Sequence, residues 1–341
     1  MRKTLTALLC VLLAGCSAQS NNTAETEAEP ETEAETETTA EEEEFAPSWI
    51  ADVPAGEKVT TFTAEELDAY FAKYIDDINM FDVYTFENSD KEVGDITYYL
   101  YDPTEHGYEK GGNYPVVMWF HGGGNGREGS HAVFAAGAAG MAEESVQADI
   151  GGMYVICPLA NEEEGEYGLW SEGYVESLHT IYDNVVADNN ITGPKFIAGT
   201  SMGGLMCDFY AAVYHSELTG IFWMSTTIPD AETVKSYSDE GIRMWFEVST
   251  HDETGAFNNS FGEDGNTAPF EEIENFELTK FDWIRYGDKT IASLNAGMEF
   301  GQHCSCLQAN RNFIFDDGTP DDPAHPDGIS GWFRDVINSK N

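Results

Sequence analysis

The chain of 341 residues carries 62 Asp and Glu against 16 Lys and Arg, a formal net charge of −46. So acidic a surface stays soluble and repels polyanions, which sets aside nucleic acid as a partner. With 41% hydrophobic and 13% aromatic residues there is enough apolar side chain for one large core, so a wholly unfolded chain is set aside too.

At the start of the chain, Arg2 and Lys3 precede the apolar run Leu5 to Leu13, and Leu13-Ala14-Gly15-Cys16 follows the pattern of a bacterial lipobox. Small residues before a cysteine suit a signal peptidase that cuts ahead of Cys16, after which the freed residue takes lipid on its sulfur. The apolar run is short for a membrane span, and Ser, Gln and Asn follow at once. Residues 1–16 therefore read as a lipoprotein signal with Cys16 as the lipidation site. The expected location is outside the cytoplasm, with the lipid anchor as the sole attachment to the cell membrane.

Residues 17–44 contain no aromatic residue and alternate Glu with Ala and Thr. Such a stretch cannot bury enough apolar surface to fold, and it reads as a disordered acidic tether. Its glutamates repel one another and the anionic headgroups, which would hold the next domain off the membrane. Residues 45–341 show no internal repeat and no Pro/Ser-rich break, and are expected to form one domain.

Thr63 to Ile75 opens with a Thr-x-x-Glu pattern and places Leu67, Tyr70, Phe71 and Tyr74 at helical spacing, which predicts an amphipathic helix. Val83 to Phe86 and Asp95 to Tyr101 are rich in β-branched and aromatic residues and read as a hairpin at a sheet edge. Near-continuous apolar runs follow at Pro115 to Phe120, Met153 to Cys157, Lys195 to Gly199, Gly220 to Met224, Arg243 to Val248 and Thr290 to Leu294. Parallel strands covered on both faces require runs of that kind. Helices are expected at Ala132 to Gln147, Gly173 to Ala187, Gly203 to Tyr214, Pro269 to Tyr286 and Trp332 to Ile337. Strands and helices in alternation predict an α/β fold, a doubly wound, mostly parallel sheet with helices on both faces. In such sheets the reacting groups collect beyond the carboxyl ends of the strands.

Gly199-Thr-Ser201-Met-Gly203 lies between a predicted strand and a predicted helix. A strand turning sharply into a helix leaves no room for bulky neighbours, so glycines flank the serine and its hydroxyl stands exposed as a candidate nucleophile. Upstream, Val116-Val-Met-Trp-Phe-His121-Gly122-Gly123-Gly124 runs a buried strand into glycines. Backbone N–H groups reach a developing oxyanion only where no side chain intervenes, so Gly123 and Gly124 are candidate donors, together with the N–H of Met202 at a helix start. His121 reads as a structural histidine that orients this loop.

A serine hydroxyl needs a base, and the base needs an acid that holds its tautomer. Beyond the strand ending at Val248, Asp252 is the expected acid with Glu253 as its substitute. His303, on the loop after the next predicted strand, is the expected base, and His325, ahead of the final helix, is its rival. Trp170 is a candidate wall of the substrate pocket or a core residue. The loop Asp316 to Asp322 offers oxygen ligands without the spacing of a calcium motif and reads as a solvated turn, so no metal is expected. No Cys-x-x-Cys pair is present, and a disulfide is permitted outside the cytosol. Cys304 and Cys306 are too close to bond one another easily. The expectation is a bond from one of them to Cys207, the alternative being four buried free thiols.

Tyr114-Pro-Val-Val-Met-Trp-Phe-His-Gly-Gly-Gly124, Phe196-Ile-Ala-Gly-Thr-Ser-Met-Gly-Gly204 and Gly301-Gln-His-Cys304 resemble the α/β-hydrolase superfamily over essentially the whole folded part. Within it the chain looks most like exported esterases related to feruloyl and acetyl-xylan esterases and polyhydroxybutyrate depolymerases, with prolyl-oligopeptidase-like hydrolases as relatives. Some feruloyl esterases and tannases join cysteines beside the nucleophile and the base; this chain has Cys304 beside His303 but Thr200 at the other place. The resemblance implies a carboxylic-ester hydrolase with Ser201, His303 and Asp252 as its triad, no cofactor, and a small-molecule or polysaccharide ester as substrate. A serine peptidase and a non-catalytic carbohydrate-binding lipoprotein are the alternative readings. The oligomeric state is left open.

Overall fold

The computed structural model describes residues 59–62, 78–90, 92–123, 137–161, 170–281, 283–286, 302–303, 309, 311–312, 314–315, 317–320, 322 and 324–339. Cys16, the tether, the predicted helix Thr63 to Ile75, the predicted strand Thr290 to Leu294, and Gly124, Cys304 and Cys306 lie outside them.

Among the described residues, eight strands form the main sheet: β2 (Asp82–Phe86), β3 (Ile96–Tyr101), β4 (Val116–Phe120), β5 (Tyr154–Pro158), β6 (Lys195–Thr200), β7 (Gly220–Met224), β8 (Arg243–Ser249) and β9 (Phe276–Phe281). Their spatial order is β2-β3-β5-β4-β6-β7-β8-β9. The β2–β3 hairpin and the β3–β5 pair are antiparallel, and every other pairing in this sheet is parallel. Separately, β1 (Val59–Phe62) pairs in parallel with β10 (Trp283–Tyr286).

The central strands are buried along their whole length, as expected of strands covered on both faces. Because side chains alternate, each strand divides itself between two apolar layers. Val117, Trp119, Phe222 and Trp245 join the layer closed by Trp332 and Phe333, which belong to the last helix. Val116, Met118, Phe120, Trp223 and Phe246 join the opposite layer with Leu178, Tyr182 and Tyr210. The helices are α1 (Glu144–Ile150), α2 (Val175–Asp188), α3 (Met202–Tyr214), α4 (Ala231–Asp239), α5 (Ala256–Phe261), α6 (Ala268–Glu271) and α7 (Gly328–Ser339). Arg334 of α7 binds Asp149 of α1 and holds Asp327 at 2.7 Å, which ties the end of the chain to one face of the sheet.

Two expectations require correction, and one helix is new. Pro269 to Tyr286 is not one helix: α6 stops at Glu271, and β9 and β10 follow. Phe270, Ile273 and Phe276 fall at helical spacing, which suggested the helix, but from Phe276 onward the chain alternates. Thr279 and Phe281 are buried while Lys280 between them is exposed, and this stretch completes the sheet beside β8. Nor is Ala132 to Gln147 continuous. A short 3-10 turn, Ala138–Ala142, ends at Glu143 in an extended conformation (ψ 136°), and only then does α1 begin. Finally, α4 was not anticipated, although Asp230 announces it by accepting the Thr233 N–H at 2.8 Å as an N-cap.

Candidate active site

The turn from β6 into α3 carries Ser201 with φ 53° and ψ −118°, a backbone conformation that a residue with a Cβ adopts only under strain. Two tight approaches explain the flanking glycines. A Cβ on Gly199 would stand 2.2 Å from the carbonyl oxygen of Gly203, and one on Gly203 would stand 2.1 Å from that of Phe120. The Ser201 N–H donates to Met224 O at 2.9 Å, and its own carbonyl accepts from Gly204 at 2.9 Å, so helix α3 starts at once behind the serine.

The acid comes from the turn after β8. Asp252 Oδ2 lies 2.8 Å from Nδ1 of His303, and its Oδ1 accepts from the Thr254 N–H at 2.8 Å and the Thr254 hydroxyl at 2.6 Å. The other ring nitrogen of His303, Nε2, lies 2.9 Å from Ser201 Oγ. Hydroxyl, imidazole and carboxylate thus form one continuous hydrogen-bonded line. Burial by itself would raise the Asp252 carboxyl, but the His303 charge and the hydrogen bonds from His303 and Thr254 outweigh it and leave the group below the ordinary carboxylate value. For His303 burial acts downward, and the Asp252 charge, the hydrogen bond to it and the Glu253 charge overcome that, so the imidazole is raised above its ordinary value.

Of the paired alternatives, Asp252 and not Glu253 holds the imidazole. Glu253 accepts the backbone N–H groups of Gln302 at 2.9 Å and His303 at 2.8 Å. His325 is buried elsewhere, against Glu277 of β9 and with its ring 4.2 Å from that of Trp245. Thr254 was overlooked in the sequence, although Asp252-x-Thr254 has the spacing of an Asx turn.

Beyond β4, His121 is fully buried. Its Nε2 accepts the Ala160 N–H at 2.9 Å, which puts the proton on Nδ1, and Nδ1 donates to Gly122 O at 2.7 Å. This histidine is therefore a strut between the ends of β4 and β5. Of the two roles open to Trp170, the structure shows packing: the side chain is 3% exposed, its Nε1 donates to His121 O at 2.9 Å, and its ring packs on Phe120, His121 and Tyr174. It supports the start of the glycine loop from behind. Gly123 lies against Met202, since a Cβ on it would stand 3.2 Å from Met202 Cγ, so the loop and the helix start converge beside Ser201.

Cys207 is a free, buried thiol on α3, which corrects the expectation of a bond from it to Cys304 or Cys306. Its position in the turn after Ser201 points it into the layer beneath the helix, where it packs with apolar neighbours. Cys157 is likewise free and buried.

The sequence matches no protein-family model and no curated protein. Among solved structures the chain is similar to a thermostable esterase at 19% identity and a TM-score of 0.51, covering 69% of this chain and 60% of that one. It is also similar to a ferulic acid esterase (12% identity, TM-score 0.44, 66% of this chain and 98% of that one). A third likeness is to the feruloyl esterase module from Clostridium thermocellum (12% identity, TM-score 0.42, 68% and 86%). The first of these likenesses and the strand order give the chain the α/β-hydrolase fold.

Proposed function

We propose that the protein is a serine hydrolase that cleaves carboxylic esters through an acyl-enzyme on Ser201. The observation that carries this reading is the hydrogen-bonded line from Ser201 through His303 to Asp252, with the serine on a strained turn. A solved structure to which the chain is similar at a TM-score of 0.51 is itself an esterase, which supports the reading.

In this mechanism Ser201 Oγ attacks the ester carbonyl carbon while its proton passes to His303 Nε2. Asp252 keeps the imidazole in the tautomer that can accept that proton and stabilises the imidazolium. Negative charge on the former carbonyl oxygen is met by the N–H of Met202 at the start of α3 and by N–H groups of the Gly123–Gly124 loop. His303 returns the proton to the departing alkoxide, and the alcohol leaves. Water then attacks the acyl carbon, giving its proton to Nε2, and the carboxylic acid departs as Ser201 regains its own.

The working place is the outer face of a cell membrane, where the Cys16 lipid anchors the chain and the acidic tether holds the domain away from the headgroups. A neutral ester on a carbohydrate suits a molecule of net charge −46 better than an anionic substrate does. Acylated polysaccharide or its fragments are accordingly the substrates to try first. Ser201→Ala is expected to abolish hydrolysis of p-nitrophenyl acetate with the circular dichroism spectrum unchanged; turnover at the native rate would refute the mechanism.

A further inference from the structure

The turn after β8 presents two consecutive carboxylates to a single residue. Asp252 takes the side chain of His303, and Glu253 takes its backbone. Oε1 of Glu253 accepts from Gln302 N at 2.9 Å and Oε2 accepts from His303 N at 2.8 Å. One carboxylate spanning two successive backbone N–H groups fixes the peptide plane between them, and with it the direction in which the His303 Cβ leaves the chain. His251, the residue before Asp252, stacks on Trp283 of β10 with ring centroids 3.8 Å apart, which anchors the same short turn from its other side.

From this juxtaposition we infer that Glu253 is a positioning residue that locks the base-bearing turn onto the acid-bearing turn, so that His303 reaches Ser201 and Asp252 at once. The inference rests on the hydrolase reading for its consequence in turnover, but the clamp itself, from Glu253 to the N–H groups of Gln302 and His303, involves no substrate. Its physical logic is that backbone N–H groups bonded to an ionised acceptor are held more firmly than those bonded to a neutral one. A small misplacement of a proton-transferring group costs rate steeply. Glu253 is also one of the two carboxylates whose charge acts on the His303 imidazole, Asp252 being the other.

The test compares the full chain with Glu253→Gln and Glu253→Ala by two readouts. The first is nuclear magnetic resonance of the His303 ring, following its titration and the Nδ1 proton shared with Asp252, which needs no substrate. Glu253→Ala should bring that proton into faster exchange with water and lower the titration midpoint, with Glu253→Gln intermediate because its amide oxygen can still accept one N–H. The second readout is p-nitrophenyl acetate turnover, where kcat should fall about 100-fold for the alanine variant and about 10-fold for the glutamine variant, with KM within twofold. A folded variant of either kind whose His303 titrates and exchanges as in the parent chain would overturn the inference. If the ring responds as described while the parent chain hydrolyses no ester, the clamp stands and the hydrolase reading falls.

Discussion

Nε2 of His303 lies 2.9 Å from Oγ of Ser201, although 102 positions separate the two in the chain. The contact exists because the end of β6 and the turn at 302–303 bring both residues to one place, with hydroxyl and imidazole in direct hydrogen-bond reach. The strength of that arrangement depends on what lies behind the imidazole.

Asp252→Asn is the direct probe of that support. The amide keeps the shape of the side chain but offers no negative charge, and it favours the wrong imidazole tautomer. A loss in kcat of about 10⁴-fold is expected, with the fold retained. A variant within tenfold of the parent rate, measured with p-nitrophenyl acetate, would exclude Asp252 as the triad acid.

The pH profile has a defined sign. Only the neutral imidazole can accept the serine proton, and His303 is raised above the ordinary value of 6.5 by the carboxylates beside it. Activity should therefore fall as pH drops, with the midpoint of kcat/KM above 6.5. In Asp252→Asn the opposing effect of burial is left in place, so the midpoint should move down. Stability runs the other way: the raised value favours the charged ring in the folded state, a contribution present below the unfolded value and lost as pH rises through the folded one. An acid limb centred below 6 in the parent chain would contradict this account.

Ser201 offers a separate test in which stability and activity part. Its φ of 53° is a strain that a glycine does not feel. Ser201→Gly should stabilise the protein by about 1 kcal/mol relative to Ser201→Ala, after allowing for the greater freedom of glycine in the unfolded chain, while both variants are inactive. Thermal melting of the two side by side measures the difference, and equal melting temperatures would show that the turn stores no such strain.

His121→Ala removes a buried ring, the hydrogen bond from Ala160 N–H that joins the ends of β4 and β5, and the local bond to Gly122 O. A destabilisation of about 2–4 kcal/mol in urea unfolding is expected. Because His121 bonds Gly122 O next to Gly123, a proposed oxyanion donor, kcat should also fall, by roughly tenfold, an effect smaller than deletion of a donor itself. The acid limb of the pH profile should not move, since this histidine is not the base; a shifted limb would reopen that assignment.

Much of the architecture was already legible in the amino-acid order. Runs such as Val116 to Phe120 and Gly220 to Met224 are apolar at every position, and a segment of that kind has few places to go except between two layers. Gly199-x-Ser201-x-Gly203 was readable because close backbone packing restricts its flanking positions to glycine, which leaves a visible mark. The segment from Phe276 was not readable in the same way. Its first apolar positions satisfy helical and strand periods together, and what decided between them was the open edge of β8, a partner that local sequence does not reveal.

Chain order alone determined that a serine turn and an acidic turn would lie beyond strands, because strand and helix alternate and the connections carry the polar residues. Which of two adjacent carboxylates faces the imidazole, that His325 spends its ring on Glu277 and Trp245, and that Trp170 packs beneath a loop were decided only by tertiary structure. The physical reason is that composition restricts what a residue is able to do, whereas direction and burial depend on neighbours brought close from tens or hundreds of positions away. Asp252 and Glu253 are chemically almost the same group. A difference of one position along a turn sends one to a ring nitrogen and the other to the backbone of the same histidine.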